Sequence, residues 1–366
     1  MRIAIDAREL LGKPTGVGRY LSGLLDTWRT LPAAGAHEFI LCAPAPLDGA
    51  SATIGHEVRV AHGAGTWWEQ TALPRLARQA GADVLFAPAY TAPLFLSVPY
   101  VLTIHDVSFA AHPEWFPGRE GLRRRVLTRL SARRATRVLT ISEFSKREIA
   151  HHLGVEAGQI SVVYIGIDAP SGVPAPRPAV GSPQLVLYVG SLFSRRHIPE
   201  LMSGFAALAG RRSDVRLEIV GDNRMTPRID VQELATATGV ASRIGIRSFV
   251  SDAELGALYQ SAGAFVFLSS YEGAGLTPLE ALAAGVPIVV LDTPVAREIY
   301  ADAALYVSRP EPSLIEQALE RVLSDERERQ RIMAASRAVL ARYSWTTCAA
   351  QVLDTLVSAS TCRASR

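Results

Sequence analysis

Cysteine is scarce in this chain: Cys42, Cys348 and Cys362 are the only three in 366 residues, none forms a CxxC pair, and none has a histidine at metal-ligand spacing. Neither a disulfide framework nor a structural zinc site is therefore expected, and a reducing cytoplasm fits best. Long apolar runs are missing too. Segments such as "VPYVLTIHD" and "QLVLYVGSL" fall far short of the roughly 20 residues that span a bilayer, so they read as buried parallel strands. The opening "MRIAIDAREL" enters a strand-like alternation directly. It lacks the basic segment, apolar stretch and small-residue cleavage site of a secretory signal, so export is not expected. No Asp-x-Asp occurs anywhere, which removes the simplest carboxylate pair for holding a divalent metal. Solenoid-period repeats are absent as well.

At 48% hydrophobic and 20% charged residues, the chain has the composition and length of two globular domains. "RIAIDA", a helix near 17–30, "EFILCA", "EVRVA", a helix near 68–80, "DVLFAP" and "YVLTIHD" alternate strand with helix. A second series follows: "QLVLYVGSL", a helix from about 198 to 209, "VRLEIVGD", a helix from about 230 to 238, "IGIRSFV", a helix from about 252 to 261, "AFVFLS", a short helix and "PIVVLD". The alternation predicts two α/β domains, each a Rossmann-like, doubly wound parallel sheet. Between them "APSGVPAPRPAVGSPQ", with five prolines and two glycines in 169–184, reads as a linker. The expected division is 1–168, linker 169–184, and 185–345, with a closing helix over about 346–366 packing back on the first domain. Open parallel sheets bind ligands outside the carboxyl ends of their strands, so the chemistry belongs in a cleft between two facing loop edges.

The net charge of +3 conceals a local excess: residues 117–137, "PGREGLRRRVLTRLSARRATR", hold eight Arg and one Glu, or +7, leaving about −4 for the remainder. As a helix this segment sets Leu122, Val126, Leu127 and Leu130 in an apolar stripe beside the arginines. It is either a solvated face on a packed helix or a surface for anionic lipid or a phosphate-bearing acceptor. Aromatic residues are not interleaved with the arginines, which argues against nucleic acid.

The densest chemistry lies in "SSYEGAGLTPLEALAAGVPIVVLD", 269–292, read as a bend, a short helix and a strand. Thr277 is expected to be the helix N-cap, with Pro278 at the first position and Glu280 closing a capping box. Gly273 and Gly275 let backbone approach a ligand, and a helix N-terminus attracts phosphate. Glu272 would repel phosphate but suits sugar hydroxyls. Two carboxylates flanking an anion-binding bend fit a nucleotide sugar, with ribose at one end and hexose at the other.

With Glu272 and Glu280 eight positions apart, "YEGAGLTPLEALAAGVP" resembles the signature of the GT-B retaining glycosyltransferases of family 4, with Ala274 in place of the usual phenylalanine. The resemblance implies that Glu272 contacts the transferred sugar and Glu280 the ribose, while the amides of Ala274, Gly275 and Leu276 face sugar and phosphates, beside Gly273 and Thr277. "YVGSLFSRRHIPELMSGF" is similar to the family's G-R-L-x-x-x-K segment, with Arg196 at the lysine that meets the diphosphate, Arg195 beside it and Ser191 at the first arginine. "IRSFV" resembles the loop that frames the nucleobase, near Val250 and Ser251. In the first domain "TGVGRY", with Gly16 and Gly18, is similar to the glycine-rich loop near donor phosphate. "TIHD" resembles the family's H-D, which implies His105 beside the transferred sugar, and "SEFSKRE" and "YIGID", with Ile165 at the usual asparagine, extend the likeness over most of the chain.

The implied activity is metal-independent, cofactor-free transfer of a hexosyl group, GDP-mannose being the first guess for the donor, to an acceptor hydroxyl in bacterial glycan, lipid-linked sugar or glycosylated-metabolite synthesis. His105 and Glu272 would be catalytic, and Arg196 with the helix tip would stabilise the departing diphosphate. A cytoplasmic enzyme is implied, with the Arg-rich segment as a contact for anionic membrane. Replacing Glu272 by Ala is expected to stop transfer and leave the fold intact. A nucleotide-sugar epimerase on the same fold stays open, as do a non-catalytic sugar-nucleotide binder and a nicotinamide oxidoreductase. The last would need a complete G-x-G-x-x-G/A and a following acid that no segment supplies cleanly.

Overall fold

The computed structural model describes residues 1–12, 15–47, 56–116, 118–168 and 183–361; the proline-rich stretch at 169–182 lies outside them. The chain divides into two compact units, Met1–Gly166 with Tyr343–Arg366, and Ile167–Arg342.

The first unit is a seven-stranded, wholly parallel sheet. Its strands are β1 (Arg2–Asp6), β2 (Glu38–Ala43), β3 (Glu57–Val60), β4 (Val84–Ala87), β5 (Tyr100–Thr103), β6 (Arg137–Thr140) and β7 (Ile160–Val162), in the order β3-β2-β1-β4-β5-β6-β7. The second holds six parallel strands: β8 (Gln184–Val189), β9 (Val215–Val220), β10 (Ile244–Arg247), β11 (Ala262–Phe267), β12 (Ile288–Leu291) and β13 (Leu305–Val307), ordered β10-β9-β8-β11-β12-β13. Central strands β4, β5, β11 and β12 are buried along their whole length, which explains why they read as continuous apolar runs: helices cover both sheet faces. Each sheet reverses direction once, between β1 and β4 and between β8 and β11. In a doubly wound sheet that reversal opens a crevice at the carboxyl ends of the two strands.

The helices of the first unit include α1 (Gly16–Trp28), α2 (Gly65–Gln79), α3 (Ser108–Ala111), α4 (Gly118–Arg134) and α5 (Glu143–Leu153). Those of the second include α6 (Ile198–Arg211), α7 (Val231–Ala237), α8 (Asp252–Ser261), α9 (Leu276–Ala283), α10 (Pro294–Tyr300), α11 (Pro312–Ser324) and α12 (Glu326–Leu340). The closing helix α13 (Trp345–Thr361) packs in the first unit against α1, β4, β5 and β6. The Trp28 indole donates to Ala349 O at 2.9 Å, and the Trp345 ring occupies the space that side chains at Gly23 and Gly166 would fill.

Helix α4 inverts the usual arrangement. It rests on small residues, Gly121, Thr128, Ser131 and Ala132, while Leu122, Val126 and Leu130 are exposed and Leu127 is half-buried. The stripe seen in the sequence thus faces outward instead of into the core.

Candidate functional site

In the second unit, the two loops that flank the β8/β11 reversal meet. The loop after β8 carries Gly190, Ser191 and a 3-10 turn over Ser194–Arg196; the loop after β11 carries Ser269 to Gly275. Gly190 has φ +143°, and a Cβ there would stand 2.6 Å from Arg196 Nη1, so glycine makes room for the guanidinium. Arg196 Nε donates to Glu272 Oε1 at 2.9 Å and Nη1 to Ser191 O at 2.8 Å. The guanidinium lies over the Phe267 ring, 4.8 Å from its centroid. Ser269 Oγ donates to the same Glu272 oxygen at 2.8 Å. The two charged side chains are only 12% and 16% exposed. Burial alone would lower the Arg196 pKa, but the adjoining Glu272 carboxylate outweighs it and holds the group firmly cationic. Arg195 braces the loop from the other side, donating through Nε to Tyr271 O at 3.1 Å.

This pairing changes how the sequence-derived residues work. Arg196 does not stand open as a fork for phosphate; it shares its charge with Glu272, 76 positions away. Both protein bonds to Glu272 fall on Oε1, so Oε2 is the atom left for a ligand hydroxyl. Glu272 also lines a small pocket with Phe267, Ser269, Ala274, Thr293 and Tyr300.

The helix start also differs from the expected one. Thr277 is not the N-cap: α9 begins at Leu276 and Gly275 is the capping position, with φ +69° and no side-chain cap. Thr277 lies inside the first turn, so the box expected between Thr277 and Glu280 does not form. Glu280 instead accepts from Tyr259 Oη at 3.1 Å. The bend is held from outside by Tyr300, whose hydroxyl donates to Gly275 O at 2.7 Å. Gly273, Ala274, Gly275 and the Leu276 amide therefore form a fixed backbone turn ending in a helix N-terminus, beside the Glu272–Arg196 pair. Val250 is buried in the loop that follows β10, two strands out from β8, and Ser251 closes a capping box with Glu254 at the start of α8.

Gly16, Gly18 and His105 belong to the first unit. Gly16 opens α1 instead of preceding it, and Thr15 is the N-cap, accepting from Gly18 N at 3.0 Å. A Cβ at Gly18 would come within 2.5 Å of Glu9 O, a packing reason for that glycine. His105 follows β5, is 8% exposed, and its Nε2 lies 2.9 Å from Pro88 O. A carbonyl cannot donate, so Nε2 carries the proton. Burial lowers the His105 pKa, partly offset by that bond and by Asp106; the ring is neutral, with Nδ1 as its acceptor.

His105 therefore adds stability that is present above the unfolded imidazole value of about 6.5 and lost as pH falls through its lowered native value. His37 and His56 are lowered by burial as well. Urea titrations at pH 8 and 5.5 should show His105→Gln losing less stability on acidification than the parent; equal losses would place the pH dependence elsewhere.

Several participants escaped the sequence reading. Tyr300 and Tyr259 act on Gly275 and Glu280 from 25 and 21 positions away, while Ser269 and Gly190 act within their own loops, on Glu272 and Arg196. At the reversal of the first sheet, Arg8 bridges Asp6 at 2.6 Å and Glu69 at 2.7 Å, and Thr91 Oγ1 donates to Glu69 at 2.7 Å. An Asp closing the first strand, in "IAIDAR", was the available signal for that network.

Comparison with known proteins adds independent findings. Residues 14–170 match the family model described as Glycosyltransferase Family 4, and 174–339 the one described as Glycosyl transferases group 1. The chain is similar to O-antigen chain mannosyltransferase B of Escherichia coli, 27% identical over 69% of this chain and 69% of that protein. It is also similar to O-antigen chain mannosyltransferase RfbU of Salmonella typhimurium, 26% identical over 60% of each. The matched region thus spans 60–69% of these relatives' length. Among solved structures, Anabaena Alr3699/HepE in complex with UDP-glucose superposes with a TM-score of 0.76, 20% identity and coverage of 98% of this chain and 100% of that one. WaaG, a glycosyltransferase involved in lipopolysaccharide biosynthesis, gives 0.71 and 19% identity over 97% and 99%.

Proposed function

Because this chain belongs to the family 4, group 1 glycosyltransferases and has their GT-B fold, we propose that it moves a hexosyl group from a nucleoside diphosphate sugar to an acceptor hydroxyl. In this reading the anomeric configuration is retained, no metal takes part, and GDP-mannose is the first donor to test. The acceptor is a bacterial glycan, a lipid-linked sugar or a small metabolite, met in the cytoplasm or at the inner face of the membrane. One observation carries the proposal: the two loops at the β8/β11 reversal join the Arg196 guanidinium to the Glu272 carboxylate, directly before a glycine-bent backbone that runs into the α9 N-terminus.

In the reaction, the bond from the anomeric carbon to the diphosphate breaks, the acceptor oxygen bonds to that carbon on the same face, and the acceptor's proton passes to the departing diphosphate. Negative charge grows on the leaving group beside the α9 N-terminus, whose amides are already oriented and so need no reorganisation, and near the positive charge that Arg196 shares with Glu272. Glu272 Oε2 accepts a sugar hydroxyl, which orients the ring. In this reading Glu280, which accepts from Tyr259, also takes the ribose hydroxyls. The sugar contact that the family resemblance implies for His105 would come from a neutral ring, which adds no positive charge against an oxocarbenium-like carbon. Mannose as the transferred sugar is supported by the mannosyltransferase names of the relatives; the UDP-glucose of the HepE structure makes uridine donors the necessary comparison.

A thermal-shift series over GDP- and UDP-linked hexoses, run with and without EDTA, tests this. At about 100 times Kd a donor adds roughly 2.7 kcal/mol, or about 5–10 °C for a domain of this size. One donor class should give that shift, unchanged by chelation. A shift that needs a divalent ion would overturn the metal-independent chemistry; none with any nucleotide sugar would overturn the donor site.

A further inference from the structure

The outward stripe of α4 is part of a larger surface. At 100° per residue, Arg129, Leu122, Arg133, Val126, Arg119, Leu130, Arg123 and Arg134 fall in that order around about 140° of the helix. All eight are exposed, so aliphatic side chains alternate with guanidinium groups across one face. Glu120 is the only acid on the helix.

Two further elements extend this face. Arg123 donates to Thr66 Oγ1 in the first turn of α2, and the next residue, Trp67, is 78% exposed. At the other end the Arg134 guanidinium lies over the Phe95 ring, 5.6 Å from its centroid, and Phe95 is 82% exposed. The loop carrying Phe95 is tied to both helices: Ser131 Oγ donates to Ala92 O at 3.1 Å, and Leu94 N donates to Gln70 Oε1 at 2.8 Å. An exposed Trp, an exposed Phe, two Leu and a Val thus share one continuous surface with five arginines. Soluble surfaces rarely gather so many large apolar groups without a partner.

We propose that this surface, Trp67, Phe95 and the outer face of α4, is the chain's docking site for an anionic lipid bilayer. The chemistry on the face requires both halves of such a partner. Arginines ringing the patch complement phosphate headgroups, while the central aliphatic groups and the two aromatic rings have nothing to bury against on a phosphate backbone. They fit the boundary between headgroups and acyl chains, where Trp and Phe anchor interfacial proteins. Arg124 takes no part. It is packed over Tyr90, Phe109 and Phe116, at 4.7, 5.0 and 5.8 Å from their centroids, and holds α4 to the domain. This inference is independent of the donor reading, because every residue in it lies in the first unit and none contacts the Glu272 pocket.

Sedimentation of the full chain with vesicles of phosphatidylglycerol and phosphatidylcholine, and with phosphatidylcholine alone, tests it. The protein should pellet with the anionic vesicles and stay in the supernatant with the zwitterionic ones. Trp67→Ser/Phe95→Ser should weaken anionic binding at least tenfold, and so should Arg119→Gln/Arg129→Gln/Arg133→Gln. Both multiple variants alter exposed side chains, so their melting temperatures and donor-induced thermal shifts should match the parent; this separates failure of the surface from failure of the donor site. Raising salt from 0.05 to about 0.5 M should release the aromatic variant more readily than the parent, since screening removes only the arginine contribution. Absence of anionic-vesicle binding, binding unaffected by either variant, equal binding to duplex DNA, or self-association through this face in the absence of lipid would each overturn the proposal.

Discussion

Glu272→Gln should reduce transfer by about 10²–10³-fold, the loss typical of a group that grips the reacting centre, while lowering the melting temperature by only a few degrees. The amide keeps a carbonyl oxygen for Ser269 and Arg196 to bond, but it replaces Oε2 with a donor that cannot accept a sugar hydroxyl. Glu272→Ala behaves differently. Its truncation, expected from sequence to spare the fold, leaves the Arg196 guanidinium largely buried with its counter-charge removed. Breaking such a pair from one side costs about 3 kcal/mol, enough to lower the melting temperature by roughly 6–12 °C. The two variants together separate the roles of the residue. Activity retained in Glu272→Gln would show that the carboxylate only neutralises Arg196. An Ala variant as stable as the parent would show that the ion pair contributes nothing to the fold.

That distinction marks where sequence reading stops. Parallel strands buried on both faces announce themselves as apolar runs, so β1, β2, β4, β5, β8, β11 and β12 were legible; β3, β9 and β10, with charged residues among β-branched ones, were legible from their place in the strand–helix alternation, and the doubly wound class with them. The site was legible as a neighbourhood because a glycine bend between a strand and a helix can be seen locally. Its internal wiring was not. Arg196 meets Glu272 across 76 residues and Glu280 meets Tyr259 across 21, contacts fixed by sheet order and not by spacing. The capping box failed for a related reason: with Tyr300 bonded to Gly275 O from 25 positions downstream, the left-handed turn at Gly275 starts the helix before Thr277 can cap it. For the α4 stripe the sequence offered a surface reading without showing what the helix packs on, since its buried face is built from Gly, Ala, Ser and Thr, which carry little hydropathic signal.

Gly275→Ala is the sharpest single test of the backbone turn. At φ +69° an alanine costs about 1–2 kcal/mol of backbone strain, and its Cβ would overlap the Tyr300 hydroxyl. One of them must move, and the amides from Ala274 to Leu276 move with the turn. If these groups cradle the diphosphate, kcat/KM should fall at least 100-fold and the donor-induced thermal shift should largely vanish, although the substitution adds only a methyl group. Tyr300→Phe alone removes the hydroxyl's bonds to Gly275 O, at 2.7 Å, and to Ala274 O, at 3.4 Å, worth about 1 kcal/mol for the shorter one, and should cost less than tenfold in activity. Combining the two separates overlap from strain. Gly275→Ala/Tyr300→Phe removes the clashing oxygen, so it should regain at least part of the donor shift lost in Gly275→Ala, whereas two additive losses would mean that the left-handed conformation itself is what the turn requires. Full activity and an undiminished donor shift in Gly275→Ala would remove the turn from the donor site, because a backbone cradle cannot tolerate displacement of the atoms that form it.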